Sequence, residues 1–196
     1  FDLIIKKMRV LRANPKKMRK YMSYLIVACS LNPESRSLVL AQHAEEALRQ
    51  TGATVDFMAL KKNPLPLCDG DSVYTQPEVI SAAERIQKAE GILLSVPIYN
   101  YDANAAAKNL IELTGKSWED KAVGFLCAAG GQGSYMSIMS LANSLMLDFR
   151  CIVLPRFVYV TGESFEGDNL ANPEIEQRIQ KLADQLIKIS RSLQTS

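Results

Sequence analysis

Histidine and tryptophan each occur once in this chain, and its four cysteines (Cys29, Cys68, Cys127, Cys151) are never spaced as C-x-x-C. That scarcity argues against a Cys/His zinc site, and no Cys–His dyad can be argued. His43 lies beside Gln42 and Glu46 and reads as a solvated side chain rather than a catalytic one. No apolar run approaches the roughly 20 residues that cross a bilayer. There is no G-x-S-x-G elbow of a serine hydrolase. Gly115-Lys116-Ser117 ends like a P-loop, but the glycine needed five residues earlier is Leu110, so the segment reads as a turn.

Charge is unevenly spread. Residues 1–21 hold eight Lys/Arg against one acid, a balance of +7 that leaves −5 on residues 22–196 within a total of +2. The remainder is mildly acidic, which argues against a nucleic-acid partner. Ile4, Met8 and Leu11 can form an apolar stripe on a basic helix, the pattern of a membrane-surface or targeting segment, although Pro15 cuts it short. The composition of 1–21 matches nothing after it. Residues 1–21 are therefore read as a basic extension not native to the domain, with Met22 as the expected start, and 22–196 as one domain. Buried, reduced cysteines in apolar runs suggest a cytoplasmic setting.

Within 22–196, apolar runs and helical periodicities alternate. Strands are expected at 24–30, 53–60, 91–97, 121–129 and 151–160, and helices at 35–50, 76–90, 103–113, 134–147 and 173–193. Five strands alternating with five helices specify an α/β fold: a doubly wound parallel sheet with helices on both faces. Ligands of such folds lie beyond the carboxyl ends of the strands, at the topological switch point. Attention therefore falls on the segments that follow the first, third and fourth strands.

The first of these carries Ser30, Asn32, Ser35, Arg36 and Ser37 at a helix N-terminus. Free N–H groups, the helix dipole, neutral hydroxyls and one guanidinium suit a terminal phosphate. No acidic pair lies nearby to hold magnesium. Ser35 can also be a plain N-cap, which accounts for one serine but not for the cluster. The third segment, Ala129 to Tyr135, contains Gly130, Gly131, Gly133 and Ser134 in a G-G-x-G pattern. It fits close backbone approach to a ligand and equally fits a simple turn. Tyr99 and Tyr101 in the second segment, with Tyr135 in the third, can flank a flat ring or merely sit on a rim.

Taken together, the three segments resemble the NADPH-dependent FMN reductases of the flavodoxin-like superfamily. The first loop, Cys29 to Ser37, is similar to that family's G-S-x-R-x-x-S pattern. Cys29 stands in place of the glycine and Asn32 where arginine is common, which leaves Arg36 as the cationic phosphate contact. Pro97-Ile98-Tyr99-Asn100 matches P-x-Y-N, and Lys108-Asn109 follows as the K-N pair. The resemblance covers about residues 22–190. It implies a strand order of 2-1-3-4-5, FMN with its phosphate in the first loop, and the flavin ring between Pro97–Tyr101 and Ala129–Tyr135. It also implies hydride transfer from NADPH or NADH through the flavin to free flavin, a quinone, an azo compound or a metal ion, in a homodimer or homotetramer. The flavin carries that chemistry, so no catalytic side chain and no metal is called for. The rival expectation is a flavodoxin-like one-electron carrier with no NAD(P)H oxidase activity of its own; a further one is a flavin-free domain of this fold.

Overall fold

The computed structural model describes residues 23–167 and 169–193. The expectations placed on residues 1–21 lie outside these. Strand β1 (Ser23–Ala28) leads into helix α1 (Arg36–Gln50), then β2 (Thr54–Ala59), α2 (Pro77–Lys88) and β3 (Gly91–Tyr99). A two-residue strand, β4 (Asp102–Ala103), precedes α3 (Ala105–Thr114), β5 (Ala122–Ala129) and α4 (Met139–Phe149). After β6 (Ile152–Val153) and β7 (Val158–Thr161) come the small strands β8 (Phe165–Glu166) and β9 (Asn169–Leu170), and finally α5 (Pro173–Leu193).

The main strands are parallel in the order β2-β1-β3-β5, and β6 and β7 both pair with β5 at the far edge. With β6 and β7 counted as one fifth strand, this is the 2-1-3-4-5 order of flavodoxin-like folds. Strand β1 shows why the sheet is buried on both sides. Tyr24, Ile26 and Ala28 pack with α1 and α5, whereas Leu25 and Val27 pack with α2, α3 and α4. The period of two thus feeds two separate cores, and a continuous apolar run is what such a strand requires. Helix α5 approaches closely because two strand positions lack a side chain. A Cβ at Gly91 would lie 2.9 Å from Leu186 Cγ, and one at Gly124 would lie 2.8 Å from Leu93 Cδ2 and 3.1 Å from Leu182 Cδ1. Burying leucines of this kind stabilises the fold by roughly 1.5–3 kcal/mol each.

The structure departs from the expected elements at four places. The strand expected over 151–160 is interrupted between Val153 and Val158. Pro155 there has no N–H to donate and Arg156 takes φ +62°, so the ladder cannot continue. Arg178 of α5 donates to the Phe157 carbonyl at 2.9 Å and fixes the break. The helix expected from 134 begins instead as a 3-10 segment, Gln132–Ile138, with Ser134 outside helical geometry, and becomes α-helical only at Met139. The helix expected over 103–113 starts two residues later, because β3 and β4 first form a hairpin. The β8–β9 pair had no counterpart in the sequence reading.

Gly115–Trp118 forms one 3-10 turn, in line with its reading as a turn. His43 Nδ1 lies 3.7 Å from Glu176 Oε1 on α5, away from the loops considered next.

Candidate functional site

Crossovers from β1 leave on one face of the sheet and return to β3 from the other, so a cleft opens above the carboxyl ends of β1, β3 and β5. Its volume is about 970 Å³. Three loops meet there, and each is held by identifiable bonds.

The loop after β1 is shaped by its own side chains. Asn32 N–H donates to Ser30 Oγ at 3.2 Å, and Glu34 N–H donates to Asn32 Oδ1 at 3.1 Å. Ser35 caps α1, its Oγ accepting from Leu38 N–H at 3.1 Å, and the Ser35 and Ser37 hydroxyls share a hydrogen bond of 3.1 Å. The capping role and the serine cluster therefore coexist. Ser95 Oγ donates to the Ser37 carbonyl at 2.6 Å, which fixes the start of α1 to β3. No acidic residue occupies the first turn of α1, and Arg36 is its first residue. A cation at this end of a helix opposes the dipole, so the arrangement favours an external anion.

The loop after β3 is a hairpin in which Ile98 faces Ala103 and Tyr99 faces Asp102. Its two connecting residues both lie in the left-handed region, Asn100 at φ +50° and Tyr101 at φ +61°. Tight two-residue hairpins need that geometry, which suits asparagine better than tyrosine. The result carries Tyr99 and Tyr101 outward at the cleft, 53% and 74% exposed. Asn104, buried below the hairpin, donates through Nδ2 to the Cys29 carbonyl at 2.8 Å, and its N–H donates to the Pro97 carbonyl at 3.2 Å. It ties the first loop to the second. Asp102 joins the second loop to α4 by accepting from Ser140 Oγ.

The third loop hangs on Tyr159. Its hydroxyl donates to the Gly131 carbonyl and shares a 3.0 Å hydrogen bond with Ser134 Oγ. At Gly130 and Gly131 an added Cβ would meet no atom within 4 Å, and neither residue has a positive φ. Neither packing nor a positive φ asks for glycine at these two positions, and their bare backbone leaves room for a ligand to approach. Gly133 faces the Tyr101 hydroxyl, 3.6 Å from where its Cβ would be.

Asn32, Ser35, Arg36, Ser37, Pro97, Ile98, Tyr99, Asn100, Tyr101, Ala129, Gly130, Gly131, Gly133 and Ser134 all line this one cleft. Ser30 does not; it is buried and spends its hydroxyl on the loop's own backbone. Tyr135 does not either. Its ring stacks on Phe157 at 5.8 Å and meets Tyr159 edge-on at 5.3 Å. The Lys108-Asn109 pair serves the scaffold: Lys108 bonds Glu112, and Asn109 clasps the Pro66 carbonyl and the Cys68 N–H. Three lining residues were not singled out from the sequence: Glu34, Ala128 and Gly167. Gly167 follows the fifth strand, and the carboxyl-end rule applied to that strand too would have pointed to it.

Among the described residues, Glu34 and Arg36 are the charged ones that line the cleft. Among the described residues, no group of three or more His, Cys, Asp or Glu side chains could hold a metal ion. Burial pushes the Cys29 thiol, at the root of the first loop, far above its ordinary range, and the neighbouring Cys127 adds to this. It is no nucleophile. The arrangement can bind an anionic group at one end and a flat ring at the other.

A flavodoxin-like sheet with its cleft above β1, β3 and β5 defines a class with many members. Over residues 22–166 this chain matches the family described as NADPH-dependent FMN reductase, and it belongs to that family of oxidoreductases. It is 26% identical over 145 residues to an NAD(P)H-dependent FAD/FMN reductase of Geobacillus thermodenitrificans, covering 72% of this chain and 78% of that one. It is 29% identical over 140 residues to an NAD(P)H:quinone oxidoreductase of Solanum tuberosum, covering 66% and 71%. In fold it is similar to a flavoenzyme NAD(P)H:(acceptor) oxidoreductase from Paracoccus denitrificans, with a TM-score of 0.72 at 18% identity, over 87% of this chain and 98% of that one.

Proposed function

We propose that the cleft binds FMN, with the phosphate at the start of α1 and the ring between the Pro97–Tyr101 hairpin and the Ala129–Ser134 turn, and that the protein reduces a small acceptor at the expense of NAD(P)H. One observation carries this reading: an anion-accepting helix start and a glycine pair with no packing or conformational need for glycine face the same cleft. When bound, FMN would accept hydride from NADPH or NADH and deliver both electrons to a second substrate. The chain's own residues do the positioning. Ser35, Ser37 and Arg36 hold the phosphate end, Tyr99 and Tyr101 bound the ring, and the backbone at Gly130 and Gly131 admits it at close range. The compact first loop suits the single phosphate of FMN better than the longer pyrophosphate of FAD.

Free flavin and quinones are the acceptor classes favoured by the names of the two relatives; azo compounds and metal ions complete the panel to test. The apolar mouth formed by Tyr99 and Tyr101 supports a homodimer or homotetramer in which a second subunit helps to cover the ring. Three buried free thiols, Cys29, Cys127 and Cys151, support a reducing, cytoplasmic setting.

The test is a visible spectrum of the purified protein, followed by NADPH and NADH oxidation assayed against free FMN, quinones and azo dyes. The expected result is a yellow protein, or one that takes up FMN, with acceptor-dependent oxidation of either nucleotide. Protein that binds FMN but leaves NADPH and NADH untouched is a one-electron carrier instead.

A further inference from the structure

Arg36 is exposed, but its guanidinium has two close neighbours. Its guanidinium lies over the Phe165 ring, 5.5 Å from the centroid, within the range of cation–π attraction. It also lies close to Gly162. A Cβ at Gly162 would stand 2.8 Å from Arg36 Nη1, 3.3 Å from Cζ and 3.5 Å from Nη2. Gly162 has no positive φ, so its backbone conformation is open to alanine. A side chain at 162 would have to displace the guanidinium. The same segment after β7 also supplies Gly167 to the cleft wall.

We propose that Gly162 and Phe165 form a cradle that positions the Arg36 guanidinium at the phosphate end of the cleft, making the segment after β7 a fourth part of the binding site. Arg36 is the first residue of α1, where the helix dipole repels a cation, and no carboxylate among the described residues pairs with it. Left alone, a long side chain there would turn away from the helix end. The aromatic face and the bare backbone hold it in place before any anion arrives, which lowers the ordering cost of binding. Gly162 and Phe165 act through Arg36 and are positioning residues. The proposal rests on the FMN reading of the cleft.

The apoprotein is titrated with FMN and, separately, with riboflavin, which lacks the phosphate; quenching of flavin fluorescence gives each Kd. Gly162→Ala should evict only the far end of a flexible side chain, so the fold survives. FMN binding should weaken about ten- to a hundredfold, as for loss of one charge-assisted hydrogen bond. Riboflavin binding should stay within about twofold, the spread of a site left intact. Arg36→Ala combined with Gly162→Ala should be no worse than Arg36→Ala alone, because the two act through one group. Phe165→Leu should weaken FMN selectively, and Phe165→Tyr, which keeps the ring face, should restore it. Equal losses for both flavins, additive losses in the double variant, or unchanged FMN affinity in Gly162→Ala would each overturn the cradle. Wild-type protein that binds neither flavin overturns the proposed function first, and the cradle's ligand falls with it.

Discussion

Removing one oxygen atom, in Tyr159→Phe, separates the third loop from its anchor without touching its packing. The Tyr159 hydroxyl donates to the Gly131 carbonyl and shares a hydrogen bond with Ser134 Oγ, while the ring, buried at 5% exposure, keeps its contacts with Tyr135. An intramolecular hydrogen bond contributes about 0.5–1.5 kcal/mol net. Gly131 is exposed, so water can replace part of what its carbonyl loses. Two bonds with partial replacement give a destabilisation of about 1–2 kcal/mol, or about 3–6 °C in Tm for a chain of this size. The glycine turn would then have to be ordered by the ligand, and 1 kcal/mol of ordering corresponds to about a fivefold rise in Kd. Thermal unfolding followed by circular dichroism, with and without saturating FMN, measures the first quantity; fluorescence titration measures the second. A fallen Tm with an unaltered Kd for FMN would refute the link between this hydroxyl and the site.

Other predictions rest on separate features. Arg85 donates two hydrogen bonds to Asp56, at 2.6 and 2.8 Å, and holds that carboxyl below its ordinary range. The resulting stabilisation is present above the unfolded carboxyl's pKa and is lost as pH falls through the depressed folded value. Asp56→Asn should therefore cost about 0.5–1 kcal/mol at pH 7 and converge with wild type in strong acid; a gap in urea unfolding that stays constant on acidification rules out the ionic account. Burial pushes the Cys127 thiol up to about 12 and the Cys151 thiol up to about 11, and Cys29 is fully buried. Iodoacetamide at pH 8 should thus label one cysteine in the native protein, Cys68, and all four in denaturant, with mass spectrometry counting the adducts; rapid native labelling of a second thiol contradicts this. Deleting residues 1–21 removes none of the elements or loops described here, so residues 22–196 should keep their Tm and their FMN affinity, and loss of either would show that the extension contributes to the domain.

Elements with strong local signals were legible in the sequence almost to the residue. Helix α5 runs from Pro173 to Leu193 as read, because proline suits a first helical position and the apolar stripe Ile175, Ile179, Leu182, Leu186 repeats at helical spacing. Helix α1 starts directly after the Ser35 cap. Misreadings arose where a tertiary contact overrode a local pattern. The apolar run 151–160 looks continuous, yet Pro155 breaks the ladder and Arg178 of α5 holds the break. Residues 134–138 have helical periodicity, but the Ser134 bond to Tyr159, 25 positions away, holds them in another geometry. Tyr135 sits in the third loop by sequence, but its ring stacks on Phe157, 22 positions away, which no local pattern shows. The contact between Arg36 and Gly162 spans 126 positions, and two-residue strands such as β8 and β9 are too short to show alternation.

The interruption between β6 and β7 has a bearing on solubility. Both strands lie on the outer side of β5, where an uninterrupted strand would offer a row of unpaired N–H and C=O groups to any other chain. Instead the edge offers two residues, then a break with a proline and a left-handed arginine, then four residues. Arg178 already occupies the Phe157 carbonyl, a group that an incoming strand would need. At this edge a colliding molecule therefore finds a shorter ladder than at the opposite edge, where β2 runs six residues without a break. Replacing Pro155-Arg156 with Thr-Val would straighten this edge, and the protein should then precipitate at lower concentration even if each molecule still folds.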